Sequence, residues 1–343
     1  MGLLRKIFTN VSSKPVRAKV MRDLIEPGST EQFVLVDNIV TKTGNGEDVE
    51  VEAVTMDSMP NGSDKTVVAI HGAPGSHQDY KYFLPFCQRN NYRLLAINFP
   101  GFGETKHNDK FTFSNGERLN YIQNVLTARN VKSSDKLIFM GHSRGGINAL
   151  GAAINYLSNT VGVVLVNSVG IRNHRGIKPH FPISIGSKLW ELFPRARNPI
   201  LYPFFYRLYQ TIGLKTPNGL ISMNCLRTIN SFDLPSQLPM IDIINQSDLK
   251  ILQLNSGKDW LIEKEVVMEF AGLMNDMKYI TSTKLDDDSE VIKKVEEYFN
   301  NGNKHLSVYF ELEGHFLNQF RARVITEAIK NIFDTSANIK AKL

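Results

Sequence analysis

The sequence predicts an α/β fold: a mostly parallel sheet with helices on both faces and an inserted, mainly helical cap. Three observations carry that reading. The strings TVVAIHG, YRLLAINFP, KLIFMGHS and VGVVLVNSVG are near-continuous in Val, Ile, Leu and Phe, as in strands buried on both faces, and helical stretches separate them. The run GHSRGG, Gly141 to Gly146, pins a serine between glycines where KLIFM meets the helical pattern INALGAAINYL. From residue 171 to 246 the alternation stops, and a stretch rich in Phe, Tyr, Trp and Pro intervenes before the next strand, KILQLNS. Strands alternating with helices imply a wrapped parallel sheet, and the interruption implies an insertion.

Taken in order, residues 1–29 form a basic N-terminal arm. Arg5, Lys6, Lys14, Arg17, Lys19 and Arg22 stand there with no acid before Asp23, and they account for the whole net charge of +6. The folded body is therefore balanced, and its composition does not point to a nucleic-acid surface. Leu3, Leu4, Ile7, Phe8 and Val11 share one helical face, so residues 3–11 would suit contact with a membrane surface, a mitochondrial presequence or packing on the domain edge. The core spans 30–170 and 247–335. QFVLVDNIVTK and EDVEVEAVTM flank GNGE as an antiparallel hairpin. The apolar strings follow, then the cap at 171–246, KILQLNS, a helical region, a helix started by DDDSE, the strand LSVYFELE and the helix RARVITEAIKNIF. A tail, 336–343, ends in Ala341, Lys342 and Leu343, a variant of the Ser-Lys-Leu address that a peroxisomal import receptor reads. Peroxisome or cytoplasm is the expected location. No run approaches 18 apolar residues, so no spanning helix is expected, and Cys87 and Cys225 lack the neighbours that a zinc site needs. No metal or other cofactor is expected.

The glycines explain the serine. A nucleophile placed on a sharp strand-to-helix turn needs small neighbours two residues either side, which Gly141 and Gly145 supply, and the following helix turns its positive end toward the site. Ser143 is the candidate nucleophile. With this elbow, HGAPGS at 71–76 and NFPGFGET at 98–105, the chain resembles the α/β-hydrolase superfamily, and HGAPGSHQDYKYFLP, NFPGFG, GHSRG and GIRNHRGIKP resemble a branch of hydrolase-like proteins of unknown function. The resemblance implies an oxyanion hole from the backbone N–H groups of Ala73 and Arg144. It also implies a catalytic triad in the order Ser143, Asp259 in LNSGKDW, and His315 in ELEGHF. Asn98 replaces the acid usual in that superfamily's Asp-x-Pro-Gly loop, so a local ion pair is not expected.

Asp259 could alternatively cap the helix WLIEKEVVMEF, with Glu263 or Asp248 as the replacement acid. His71 is expected to brace the oxyanion loop, His142 to pack beside the elbow, and the Arg144 guanidinium to form a buried ion pair rather than touch an anionic substrate. Among the cap aromatics, Trp190 and Phe205 are the candidate substrate-binding residues, while Arg172, His174, Arg175 and Lys178 could attract an anionic headgroup. The function that follows is a serine hydrolase cleaving a carboxylic ester or thioester of a small to medium apolar acyl substrate. The alternative is a noncatalytic ligand-binding or partner-binding protein on the same fold.

Overall fold

The apolar strings become the centre of a nine-stranded sheet because both of its faces are covered. The computed structural model describes residues 26–337; the expected amphipathic face at 3–11 and the terminal Ala341-Lys342-Leu343 lie outside them. The strands are β1 Val34–Lys42, β2 Asp48–Asp57, β3 Lys65–Ile70, β4 Arg93–Ile97, β5 Lys136–His142, β6 Thr160–Val166, β7 Lys250–Ser256, β8 Lys278–Ser282 and β9 His305–Phe310. Their spatial order is β1-β2-β4-β3-β5-β6-β7-β9-β8, and only β2 runs against the rest. Successive residues of a strand serve opposite faces. Val68, Ile70, Leu95, Ile97, Leu137 and Phe139 pack into one core, and Val67, Ala69, Leu94, Ala96, Ile138 and Met140 into the other. A strand buried on both sides has no position left for a polar alternation, which is why these strings read as continuous.

The helices are α1 Leu84–Arg89, α2 Asn115–Ala128, α3 Gly145–Asn155, α4 Phe181–Leu192, α5 Tyr202–Thr211, α6 Gly219–Asn230, α7 Leu238–Asn245, α8 Lys264–Ala271, α9 Ser289–Asn300, α10 Leu317–Phe320 and α11 Ala322–Ala337. The insertion between β6 and β7 carries α4 to α7 and encloses a small core of Trp190, Leu201, Phe205, Met223 and Leu226. Strand β8 was not expected. Four of its five residues are exposed or half-exposed, so KYITS carries no apolar run to announce it. Helix α8 also starts later than expected, at Lys264 with Glu263 at its N-cap, so Asp259 is not its cap.

Parallel strands send their C-terminal loops to one edge of the sheet, where open α/β sheets bind ligands. The loops after β3, β5, β7 and β9 carry HGAPGS, Ser143, Asp259 and His315 respectively.

Candidate active site

Ser143 stands between β5 and α3 with φ +52°, a left-handed conformation that residues with a side chain rarely adopt. Its N–H donates to the Val166 carbonyl at 2.9 Å, fixing the turn against β6. The glycines are sterically required. A Cβ on Gly145 would lie 2.1 Å from the Ile70 carbonyl oxygen, and one on Gly141 would lie 2.5 Å from the Gly145 carbonyl oxygen. A Cβ on Gly72 would come 3.1 Å from Ser143 Cβ, so the loop carrying Ala73 packs directly on the elbow.

Asp259 and His315 meet. The imidazole Nδ1 lies 2.7 Å from Asp259 Oδ2, and both side chains are buried. The other carboxylate oxygen accepts the N–H groups of Leu261 and Ile262 at 2.8 and 3.1 Å, which fixes its orientation. Burial alone would raise the Asp259 carboxyl; the imidazole and the two N–H groups reverse this and hold it below the usual range. The two replacement acids are engaged elsewhere: Glu263 accepts the Arg175 N–H at 2.6 Å, and the exposed Asp248 pairs with Lys304 at 2.7 Å.

His142 does more than pack. Its Nε2 lies 2.9 Å from the carbonyl oxygen of His315, and the two rings are 4.9 Å apart between centroids. Because the acceptor is a carbonyl, Nε2 must carry the proton, and burial lowers this imidazole to about 3. His142 thus ties the histidine loop to the residue before Ser143. Ser256 and Asn167 hold the same loop through the Gly314 carbonyl at 2.8 and 3.3 Å. Ser143 Oγ itself makes no hydrogen bond to the imidazole among the described residues, a link that often closes only around substrate. His71 braces the HGAPGS loop. Its Nδ1 donates to the Gly72 carbonyl at 2.6 Å and its Nε2 accepts the Phe99 N–H at 3.2 Å. Asn98 accepts the His77 N–H at 2.7 Å through its side-chain oxygen.

Residues 33–334 match the family described as Alpha/beta hydrolase of unknown function (DUF1057). The chain belongs to this family. A Caenorhabditis elegans relative, "Uncharacterized protein F35H12.5", is 29% identical over 317 residues, which cover 89% of this chain and 88% of the relative. A proline iminopeptidase of Saccharolobus solfataricus is 28% identical over 217 residues, 53% of this chain and 68% of that one. Among solved structures, a thermophilic esterase from Thermogutta terrifontis superposes with a TM-score of 0.57 at 16% identity, over 88% of this chain and 98% of its own. The first of these is similar in sequence throughout, and the last shares the fold alone. Hydrolases recur among such relatives, in keeping with the family's description.

The two candidate substrate-binding residues lie in the insertion between β6 and β7. Phe205 lies in the cap's own core, and Trp190 is clasped between the guanidinium groups of Arg197 and Arg227, 3.5 and 3.7 Å from the centroid of its ring. Trp190 also lines a cleft of about 410 Å³ with Glu47, Asp109 and Ser231, whose lining includes none of Ser143, Asp259 and His315. Three of the four basic side chains at the start of the insertion are engaged: Arg172 with Glu269, Lys178 with Glu263 at 3.8 Å, and His174 with the Leu261 carbonyl at 2.9 Å. Among the described residues Arg144 forms no ion pair, contrary to expectation. Its guanidinium donates to the side-chain oxygens of Asn148 and Asn115 at 2.8 and 2.6 Å and lies over Phe232.

Proposed function

We propose that this protein is a serine hydrolase cleaving a carboxylic ester or thioester of a small to medium acyl substrate. The buried Asp259–His315 hydrogen bond, on the loop that His142 fastens to the Ser143 elbow, is the observation that carries the reading. In this mechanism His315 Nε2 takes the Ser143 proton as Oγ attacks the carbonyl carbon. Asp259 holds Nδ1–H and stabilises the imidazolium that forms. The N–H groups of Ala73 and Arg144 receive the developing oxyanion; that of Arg144 opens α3, where the first N–H groups have no partner within the helix. The imidazolium then protonates the leaving alcohol or thiol, and the C–O or C–S bond breaks to leave an acyl-serine. Water, deprotonated by the same histidine, displaces the acid and restores Ser143. The apolar lining expected from Trp190 and Phe205 is not part of this proposal.

Short p-nitrophenyl acyl esters test it. Wild type should release p-nitrophenol, and His315→Ala should lose ~10³- to 10⁶-fold in rate, as when a triad base is deleted. Equal rates for the two proteins would refute it.

A further inference from the structure

Three arginines are buried where the cap meets the core: Arg118 on α2, Arg144 beside Ser143, and Arg227 on α6. Buried guanidinium groups ordinarily have carboxylate partners. Here the one buried carboxylate close by, Glu117, is committed to the N–H groups of Gly44, Thr112 and Phe113 at 2.7, 2.8 and 2.7 Å and to the Thr112 hydroxyl at 3.1 Å. Arg227 donates to the Phe111 carbonyl at 2.7 Å and stacks on Trp190. Among the described residues each of the three keeps at least one donor without a partner.

Arg118 is 2% exposed. It lies over the rings of Phe99 and Phe102 at 4.2 and 5.4 Å, and among the described residues its single hydrogen bond is a long one, 3.5 Å, to the Thr228 hydroxyl of α6. Among those residues its Nε and Nη1 have no partner, and neither has Nε of Arg144, which is 1% exposed. Among the described residues neither arginine forms an ion pair: burial lowers both, Arg118 to about 10 with Glu117 partly opposing, and the charge of Arg118 pushes Arg144 down further. His71, which braces the oxyanion loop, also feels Arg118 after the larger effect of its own burial. Two buried cations with no ion pair among the described residues and with donors left over, one on the residue after Ser143 and one whose charge reaches His71, cost stability. Such defects persist at sites that await a ligand.

We infer that Arg118 and Arg144 receive a carboxylate carried by the substrate, so that the substrates are esters or thioesters of short dicarboxylic acids, with α6 of the cap roofing the anion. This rests on the hydrolase reading for the reaction but not for the binding. A carboxylate offers acceptors in the plane that guanidinium donors favour, and a single negative charge shared by two cations relieves their repulsion.

The binding half is tested by thermal unfolding of the full chain with glutarate, and the reaction half by the ratio of kcat/KM for p-nitrophenyl hydrogen glutarate to that for p-nitrophenyl butyrate. Glutarate at ~10 mM should raise the unfolding midpoint of wild type by about 2 °C or more, and its diamide should not. Arg118→Met should abolish that shift and lower the kcat/KM ratio roughly tenfold or more, while Arg118→Lys keeps part of both. Without ligand, Arg118→Met should unfold at or above the wild-type temperature, because it removes an unpaired buried charge; an arginine needed only for the fold would give a lower midpoint. No glutarate shift in wild type, an equal shift with the diamide, or a shift that survives Arg118→Met would overturn the inference. A glutarate shift with no cleavage of either ester would leave the carboxylate site standing and refute the hydrolase.

Discussion

The residues best defined by the sequence are those whose chemistry depends on position along a strand: Ser143 at the end of β5, Asp259 after β7 and His315 after β9. His142 is the functional residue that sequence reasoning undervalued, because its bond to the His315 carbonyl joins positions 173 residues apart and leaves no local pattern. Burial makes it and His71 titrate at about 3 in the folded chain against an ordinary 6.5, so both stay neutral. The consequence for stability has a definite sign. Below pH 6.5 the unfolded chain binds protons that the folded chain refuses, so stability falls as pH drops from 6.5 toward 3. His77, His107, His174 and His305 are lowered too and add to the trend, whereas Asp79, raised to about 6, and Asp288, also raised, oppose it. Unfolding midpoints by calorimetry should decline steadily between pH 6.5 and 4.5. A midpoint constant over that interval would mean that these histidines are protonated in the folded state.

At the level of elements, legibility followed burial. Strands covered on both faces are readable from their apolar runs, as in β3 and β4; the half-exposed edge strand β8 is not. The insertion between β6 and β7 is legible in the sequence, yet its aromatic content does not reveal which way each ring faces. Phe205 packs with Leu201, Met223 and Leu226 beneath α4, so its weight is in holding the cap together. Phe205→Ala should destabilise the protein by about 3–5 kcal/mol, as large-to-small changes in a core do, with the preference among acyl chain lengths unchanged. Denaturant melts alongside ester kinetics would check this, and a changed chain-length preference at unchanged stability would move Phe205 into the substrate pocket.

For the whole molecule, the sheet topology explains why residues far apart in sequence converge. Parallel strands deliver their C-terminal loops to one edge, and four of those loops carry HGAPGS, Ser143, Asp259 and His315. The Arg144 side chain was the part of this edge that the sequence left open, since an ion pair and a ligand contact require the same residue type. The central claim is that Ser143 is an activated nucleophile. Intact-protein mass spectrometry after exposure to a fluorophosphonate tests it directly, because the reagent adds covalently to serine hydroxyls that a neighbouring base activates. Wild type should gain one adduct, mapped by peptide digestion to Ser143, and folded Ser143→Ala should gain none; an unlabelled wild type, or a mutant labelled to the same extent, would contradict it.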